Sequence, residues 1–310
     1  MPTIDSVKLP DGSEYNIQDT TSDYATQSFV TNAVGSINKN TIGLGNVDNT
    51  SDASKPISTA QQNALNLKAD VSAICHSGLR FKNLGTSFTA EQAQAIANGD
   101  FSDLWNGDYW NDTTQGIVWR IVDNTGIARR KGDTNFDQPS LVIMPDNPLI
   151  PSDGSTHLMN DTDTTAGGYA GTKYRTTYRG TCKTKFNNFF GSAHIANHRE
   201  LLCNAVTSGK ASSWAWTDCD IELPSEANIY GHNAFSCYTD GGSGFNIGTE
   251  WGQFRLFALA PYMAINRDHN YWLRDVVSAS WFAHVADSGV ATGAGASGTG
   301  VGLRPLGIII

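Results

Sequence analysis

Residues 267–310 read RDHNYWLRDVVSASWFAHVADSGVATGAGASGTGVGLRPLGIII, and this stretch decides how the rest of the chain is interpreted. Bulky residues frame it at both ends, at 271–274 in front and in the β-prone run 304–310 behind. Between them, residues 280–301 are mostly Gly, Ala, Ser, Thr and Val. Because Gly and Ala bury little apolar surface, this run is not a typical core strand. It predicts a surface folded onto the domain, with a few buried anchors and interchangeable exposed positions.

The large residues within this run predict its orientation. Adjacent strand residues point to opposite faces, so we expect Trp281 to point outward and Phe282 inward. Tryptophan often dominates interface energetics, which makes Trp281 the predicted anchor of a binding surface, with His284 and Asp287 as directional polar groups. The full set of predicted receptor-binding, sequence-variable positions is Ser280, Trp281, His284, Ala286, Asp287, Ser288, Val290, Thr292, Gly293, Ala294, Gly298, Thr299 and Val301.

The same stretch resembles a known family. YWLRDVVSASWFAHV at 271–285, the Gly/Ser-rich run after it and GLRP at 302–305 resemble the variable region of phage tail proteins with a C-type-lectin-like fold, which a retroelement diversifies. In that family adenines of a template repeat are randomised, so Asn codons change to many residues but not to Lys, Glu, Gln or Met. Residues 280–303 contain none of these four. Trp281 is not reachable from an Asn codon, so it is either fixed or encoded by another adenine-bearing codon. The resemblance implies a variable region at about 271–305.

Composition bounds the class of partner. The chain has 310 residues and a mass of 33.4 kDa, which allows one sizeable domain and an appendage. Charged residues make up 16%, the net charge is −9 and no basic cluster stands out, so nucleic acid is not an expected partner. The first residues lack the basic and apolar segments of a signal peptide, and no run approaches the ~18 apolar residues of a membrane span. We therefore expect no membrane insertion, assembly in the host cytoplasm and a final location in the virion.

The cysteines indicate free thiols. Their number is odd, and their spacing matches neither a CxxC pair nor a zinc site. We expect buried free thiols in a protein assembled in reducing cytosol. The five positions are Cys75, Cys182, Cys203, Cys219 and Cys237.

The N-terminal region predicts an attachment segment at 1–39. Residues 4–17 alternate apolar and polar around Pro10-Asp11-Gly12, which predicts a β-hairpin, and 22–37 has the periodicity of a helix. A lone hairpin is marginally stable in water, so it needs a partner sheet or further copies of itself. Similar hairpins open many phage tail-tip proteins, which implies contact with other tail proteins. An ordinary N-terminal hairpin is the alternative.

Residues 40–76 predict a stalk. The sequence of residues 43–70 resembles the GLxNVDNTSDxxKPxSTA repeat of phage tail fibres. Ser58 with Gln61 forms a capping box that predicts a helix start just after Pro56. Apolar residues then recur four and three apart, as in a coiled coil, so we expect a homotrimer. One amphipathic helix packed on its own domain is the alternative. The predicted seam is Ile57, Ala60, Ala64, Leu67, Val71 and Ile74.

Residues 77–310 form the predicted head, an α+β domain of C-type-lectin-like fold. Segments at 159–178, 190–206 and 212–231 resemble the same phage family. In that fold the final strand returns to pair near the first, which predicts pairing of 79–84 with 303–310. In chain order, the predicted elements are a strand at 79–84, a helix capped by Thr89 and Gln92 that ends at 98–99, strands at 116–122 and 140–144, and an amphipathic helix at 198–202.

Three polar groupings are weighed as metal sites. His194 and His198 lie four apart, but the HExxH pattern of zinc proteases is absent, so both are expected to be structural. Asp161 and Asp163 lack the later Gly and Glu of an EF-hand and predict a solvated capping loop. Residues 110–112 read WND like the calcium triplet of C-type lectins, but early in the domain and alone. We expect no metal, no calcium-dependent sugar site and no cofactor.

These patterns together predict an adhesin, not an enzyme. The expected partner is a host-cell surface receptor, either protein or glycan, bound through the variable surface. No GxSxG element or phosphate loop occurs, and no cysteine follows Cys237, where oxidases that share the lectin-like fold need a cysteine pair. A glycan-degrading tail spike and a purely structural fibre component are the alternatives.

Overall fold

The computed structural model describes residues 6–16, 27–45, 57–66, 78–125, 138–236 and 252–310. The chain divides into two compact units, residues 1–68 and 69–310. Secondary structure is mixed, with mostly sheets and few helices. Within the described ranges no helix is long and apolar enough to cross a membrane.

The first unit begins with the predicted hairpin. Strands β1 (Ser6–Lys8) and β2 (Glu14–Asn16) pair antiparallel, with Val7 opposite Tyr15. Gly12 closes the turn at φ +87°, a backbone conformation that glycine adopts without strain. Helix α1 (Gln27–Gly35) confirms helical structure within 22–37 but ends two residues early, and 22–26 lie outside the described residues.

Helix α2 (Thr59–Asn66) begins where the capping box predicts. The Gln61 backbone N–H donates to Ser58 Oγ at 3.2 Å, and the Ser58 N–H donates to Gln61 Oε1 at 3.0 Å. Ile57 and Leu65 are 53% and 48% exposed. The seam positions after residue 66 lie outside the described residues, so the coiled coil and the trimer stay predictions.

Four helices of the second unit are described. Helix α3 (Ala90–Ala97) confirms the Thr89 and Gln92 capping box and ends before Asn98. A π-helical turn at Tyr174–Tyr178 leads into α4 (Arg179–Phe190). The shorter elements are α5 (Glu226–Tyr230), α6 (Arg255–Leu259) and the 3₁₀ turns Ser192–His194 and Pro261–Ala264.

A five-stranded sheet receives the C terminus of the chain. Its order is β3-β4-β5-β13-β8, and the predicted strands at 116–122 and 140–144 are confirmed as β4 and β5. Strand β13 pairs antiparallel with β5 on one side and β8 on the other, with Ile308 opposite Val142 and Leu306 opposite Glu222. The bounds are β3 (Tyr109–Asp112), β4 (Ile117–Thr125), β5 (Ser140–Pro145), β8 (Ile221–Glu222) and β13 (Leu306–Ile309).

The predicted pairing of 79–84 with 303–310 is wrong. Residues 79–84 make only isolated bridges, to Asn106 and Tyr109, because both sides of β13 are already occupied. Side-chain bonds hold this segment instead: the Arg80 guanidinium lies 2.6 Å from the buried Asp108 carboxylate, which also accepts the Lys82 N–H.

The predicted helix at 198–202 is also wrong. Strand β6 (His198–Thr207) pairs with β7 (Lys210–Cys219) as a separate two-stranded ribbon. Ser208 and Gly209, both at positive φ, form the tight turn between them, and such turns match the twist of a hairpin. His198, Glu200 and Leu202 are buried at period two, which is the strand periodicity that the sequence interpretation missed.

A four-stranded sheet contains most of the predicted variable stretch, in the order β11-β10-β9-β12. Strand β10 pairs antiparallel with both β9 and β11, whereas β12 lies parallel to β9. Strand β11 is therefore at the edge. The bounds are β9 (Asn270–Val276), β10 (Trp281–Val285), β11 (Ala291–Gly295) and β12 (Val301–Gly302).

This sheet separates two hydrophobic cores. Trp272 and Phe282 belong to one core, built around Trp119 and other aromatic residues. Tyr271 and Ala283, on the opposite face, belong to the second. Both faces of the central strands are thus buried, so only the ends of the sheet and its edge strand reach solvent.

Three cysteines lie in the described part of the chain, and all three are buried and free, as predicted. Burial raises the pKa of the Cys182 thiol to about 12, so it stays protonated and unreactive at neutral pH. Cys75 and Cys237 lie outside the described residues.

We predict that Gly307→Ala destabilises the second unit by about 1–3 kcal/mol, because a Cβ there would lie 2.7 Å from the Ile221 side chain and 2.8 Å from Phe186. Urea unfolding followed by tryptophan fluorescence measures this, since every tryptophan lies after residue 104. Gly180→Ala is the control: it enters open space in α4 and leaves stability unchanged or up to about 1 kcal/mol higher. Equal stability of Gly307→Ala and the parent chain would contradict the close packing of β13.

Candidate functional site

The hairpin of β10 and β11 holds most of the predicted variable positions. Its register is fixed at both ends, where the Ala296 N–H donates to the Ser280 carbonyl at 2.8 Å and the Ala286 N–H to the Val290 carbonyl at 2.9 Å. Gly289 closes the turn at φ +85°, and a Cβ there would lie 2.9 Å from the Ile265 side chain. The hairpin is therefore a rigid feature with a specified turn residue.

The predicted anchor is exposed. Trp281 is 43% exposed and Phe282 is fully buried, which confirms the predicted orientation of both. Asp287, Ser288 and Val290 at the turn are also exposed. The partly exposed members of the predicted set are Ser280, Ala286, Thr292, Gly293, Ala294, Gly298 and Thr299.

Two members of the predicted set, His284 and Val301, are buried, and their assignment to the exposed surface is wrong. His284 is 8% exposed because the period of two places it on the same face as Phe282, where its ring meets Trp272 edge-on at 5.8 Å. Val301 is 4% exposed because it begins β12 and pairs with Asn270 inside the sheet.

His284 lacks a hydrogen-bond partner at Nδ1 among the described residues, as does its cross-strand neighbour Trp272 at Nε1. Burial disfavours the charged imidazolium and lowers the pKa of His284 to about 4. The side chain beneath the hairpin is therefore neutral at pH 7. The His284 side chain packs against Trp272 inside the domain.

An exposed aromatic pair flanks Gly293 on β11. A Cβ at Gly293 would lie 2.9 Å from a ring carbon of Phe235 and 3.3 Å from a ring carbon of Trp281. Phe235, like Trp281, is 43% exposed. We call Phe235, Trp281 and Gly293 the aromatic corner. Since Gly293 has no side chain, both rings approach the strand closely.

A buried carboxylate fixes Phe235 in the aromatic corner. Glu226 accepts the backbone N–H groups of Ala234, Phe235 and Ser236 at 2.9–3.1 Å, and the Ser236 hydroxyl at 2.6 Å. Glu226 itself is fully buried in the first turn of α5. Sequence reasoning missed both residues, because no local pattern connects a helix-start Glu with a loop eight to ten residues later.

Asp163 lies beside the aromatic corner. Its carboxylate occupies the space of a side chain at Gly295, where a Cβ would lie 2.9 Å from Asp163 Oδ2. Oδ1 accepts the Ser297 N–H at 3.0 Å and the Ser297 hydroxyl at 2.6 Å, and these bonds lower the pKa of Asp163. Asp161 instead pairs with Lys173. The loop that contains Asp161 and Asp163 therefore contacts the predicted variable region through Asp163, a structural role that the sequence did not predict.

The turn of the hairpin is a separate surface. The Tyr230 hydroxyl donates to the Gly289 carbonyl at 2.9 Å, and the Asp287 N–H donates to Asn270 Oδ1 at 2.9 Å. Four strand residues, 282–285, lie between Trp281 and this turn, which begins at Ala286 roughly 17 Å away. A single small ligand cannot contact both ends of the hairpin.

The candidate metal ligands are engaged in the fold. His194 Nδ1 lies 3.0 Å from the Ile310 carbonyl oxygen, and His198 Nε2 lies 2.8 Å from Glu200 Oε1. The Asp112 carboxylate of the WND triplet accepts the Thr114 and Gln115 N–H groups. Among the described residues, no group of three or more His, Cys, Asp or Glu side chains is arranged to hold a metal ion.

Comparison with known protein families, with curated proteins and with solved structures finds no match. Function is therefore inferred from the chemistry of this surface and from the sequence patterns that frame it.

We predict that His284 makes the protein less stable in acid. Between its ordinary pKa of 6.5 and its lowered pKa of about 4, the unfolded chain binds a proton that the folded chain does not. Stability therefore falls as pH drops from 6.5 to 4, by up to about 3 kcal/mol. Urea unfolding at pH 7, 5.5 and 4 should show a smaller loss for His284→Leu than for the parent chain. The exposed His232→Asn should keep the parent's full loss; parallel curves for all three chains would contradict the prediction.

We predict that Glu226→Gln releases the loop at 234–236. The glutamine side chain has one acceptor oxygen in place of two, and its amide NH₂ group would face the backbone N–H groups of residues 234–236. Up to four hydrogen bonds to residue 226 are therefore weakened. Hydrogen exchange measured by mass spectrometry should show the amides of 234–236 exchanging at least about fivefold faster. The exposed Glu91→Gln should leave these rates unchanged. Unaltered protection in Glu226→Gln would show that the carboxylate does not hold Phe235 in place.

Proposed function

We propose that the protein is a phage tail receptor-binding protein, an adhesin that attaches to a host-cell surface receptor through the exposed positions of the β10–β11 hairpin. In this proposal residues 77–310 are a C-type-lectin-like head, 40–76 are a trimer-forming stalk, and 1–39 contact other tail proteins in the virion. Its support in the sequence is the fibre-like repeat at 43–70 and the framed variable region at 271–305.

One observation supports the proposal: the bulky segments at both ends of the predicted variable region are buried, while several positions between them are exposed. Residues 271–273 and 301–309 are buried throughout. Between them, Trp281, Asp287, Ser288 and Val290 are exposed. Substitutions at exposed positions usually change stability by less than about 0.5 kcal/mol each. Such positions are free to vary in sequence without loss of the fold, which is what a diversified receptor-binding surface requires.

Avidity would compensate for the small size of this surface. Apart from Phe235, the residues around Trp281 on the hairpin are small, so one copy presents a shallow surface with few large anchors. Display of three copies on each of several fibres raises the effective affinity by about 10²–10⁴ without any new contact. Weak binding by a single head is therefore compatible with firm attachment of a whole particle.

The test changes the exposed positions and keeps the buried ones. The variant Trp281→Ser, Asp287→Asn, Ser288→Tyr, Val290→Asn should lose at least about tenfold in binding of labelled protein to host cells. Its melting temperature should stay within about 5 °C of the parent's, because each site is exposed. Trp214→Ser, an exposed tryptophan on β7, is the matched control and should bind like the parent.

The outcomes separate the alternatives. Undiminished cell binding by the fourfold variant would contradict the proposed surface. Release of shorter products from host envelope polysaccharide would support a glycan-degrading tail spike instead. Intact trimers that bind no cell would indicate a structural fibre component.

A further inference from the structure

We propose that the aromatic corner, together with Asp163, binds an organic ammonium group of the host receptor. The identity of the ligand as part of a receptor depends on the proposed function, whereas the chemistry of the site depends only on the residues described below. The ligand class is a primary or quaternary ammonium carried on a small organic group.

The first component is an exposed aromatic surface. Phe235 and Trp281 are each 43% exposed, and both rings lie against Gly293. A cation within about 6 Å of an aromatic centroid is attracted by the ring quadrupole, most strongly by Trp, and this contributes roughly 0.5–1 kcal/mol at exposed sites. Glu226 holds the Phe235 backbone through three N–H bonds, so this ring is positioned before a ligand arrives.

The second component is an exposed carboxylate that makes no salt bridge among the described residues and whose ionisable neighbour His157 contributes to its lowered pKa. Asp163 makes no ion pair within the described ranges, whereas its neighbour Asp161 is paired with Lys173. Ser297 bonds to Oδ1 of Asp163, and Asp163 as a residue is exposed, so Oδ2 is the oxygen that Ser297 leaves available to a ligand. Those bonds also lower the pKa of Asp163, so it carries its charge at any physiological pH. The site thus contains a fixed negative charge that a cation would neutralise.

The third component is distance. Gly295 lies directly opposite Trp281 in the ladder, and Asp163 Oδ2 lies 2.9 Å from the position of a Cβ on Gly295. Opposite Cβ positions in an antiparallel pair are about 5 Å apart, which puts this carboxylate within about 8 Å of the Trp281 Cβ. A cation in contact with the indole face can therefore also reach Asp163. Because residues 293 and 295 are both glycine, neither places a side chain of its own between the indole ring and the carboxylate.

The residues that line the site, and the negative charge of the protein, favour a cationic ligand over a neutral sugar. A neutral sugar needs several directional donors and acceptors, but the floor of the site is formed by Gly293 and Gly295, which have no side chains to provide them. An ammonium needs only an aromatic face and a counter-charge. The net charge of −9 also raises the local concentration of cationic ligands.

The test uses choline and its neutral carbon isostere 3,3-dimethylbutan-1-ol as probes on the full chain. The Trp281 indole N–H signal, assigned with Trp281→Phe, is followed by NMR during each titration. We expect choline to bind in the millimolar range and about 3- to 30-fold more tightly than the alcohol. Butylamine tests a primary ammonium in the same way. Whichever of choline and butylamine binds with the lower Kd shows whether the site prefers a quaternary or a primary ammonium. Equal binding of choline and the alcohol, or saturation by neither cation, overturns the proposal.

Matched variants locate the binding site. Asp163→Asn should weaken choline binding by about two- to fivefold, while Asp161→Asn, in the same loop, should leave it unchanged. Trp281→Ala should weaken it by a similar factor, and Trp214→Ala should not. Each variant's melting temperature reports whether it folds. Equal effects of the two Asp variants would remove the assigned counter-charge and overturn the proposal.

Cell attachment distinguishes this inference from the proposed function. If Trp281→Ala abolishes cell attachment but choline does not bind the parent chain, the adhesin proposal is supported and the ammonium site is contradicted. If choline binds at the corner but the parent chain attaches to no cell, the ammonium site stands and the adhesin falls. If free choline competes with attachment, both are supported.

Discussion

The pairing of the last strand with two partners is the constraint on which the second unit depends. Strand β13 forms ladder hydrogen bonds with both β5 and β8, which are separated in sequence by more than seventy residues. Its faces serve different cores, because Ile309 packs in one hydrophobic cluster and Ile308 in the other. Glycine at 307 admits Ile221 and Phe186 to contact distance. The chain end therefore fixes where both cores lie, and β12, a few residues earlier, positions the four-stranded sheet.

This constraint determines which part of residues 271–305 is exposed. Because cores lie on both faces of the four-stranded sheet, Phe282, Ala283 and Val285 are fully buried, and within the hairpin solvent reaches the ends of β10 and the edge strand β11. Trp281 escapes burial since it begins β10, beside the two glycines of β11. The same geometry explains why the His284 side chain is buried and neutral. A surface built this way tolerates changes at its ends and not along its middle.

Buried charges pair specifically around this scaffold. Glu222 on β8 is fully buried, accepts the Tyr169 hydroxyl at 2.7 Å and lies 3.4 Å from the guanidinium groups of Arg175 and Arg179. Burial raises the pKa of Glu222, while the arginine charges favour its ionised form. Glu226, which is also fully buried, accepts hydrogen bonds from the backbone N–H groups of residues 234–236. Unpaired buried carboxylates are costly, so each of these groups fixes a loop in the one position that satisfies it.

Several local features could be predicted from the amino-acid sequence: the N-terminal hairpin, the capping boxes at Ser58 and Thr89, the strands at 116–122 and 140–144, and the opposite orientations of Trp281 and Phe282. Each depends on neighbouring residues, through turn chemistry, capping or the alternation of a strand. Tertiary structure alone decided that 198–202 is a strand, that β13 pairs with β5 and β8, that His284 is buried and that Phe235 and Asp163 stand beside Trp281. These outcomes depend on partners tens of residues away, and no local pattern encodes which strand edge or buried carboxylate a distant segment will meet.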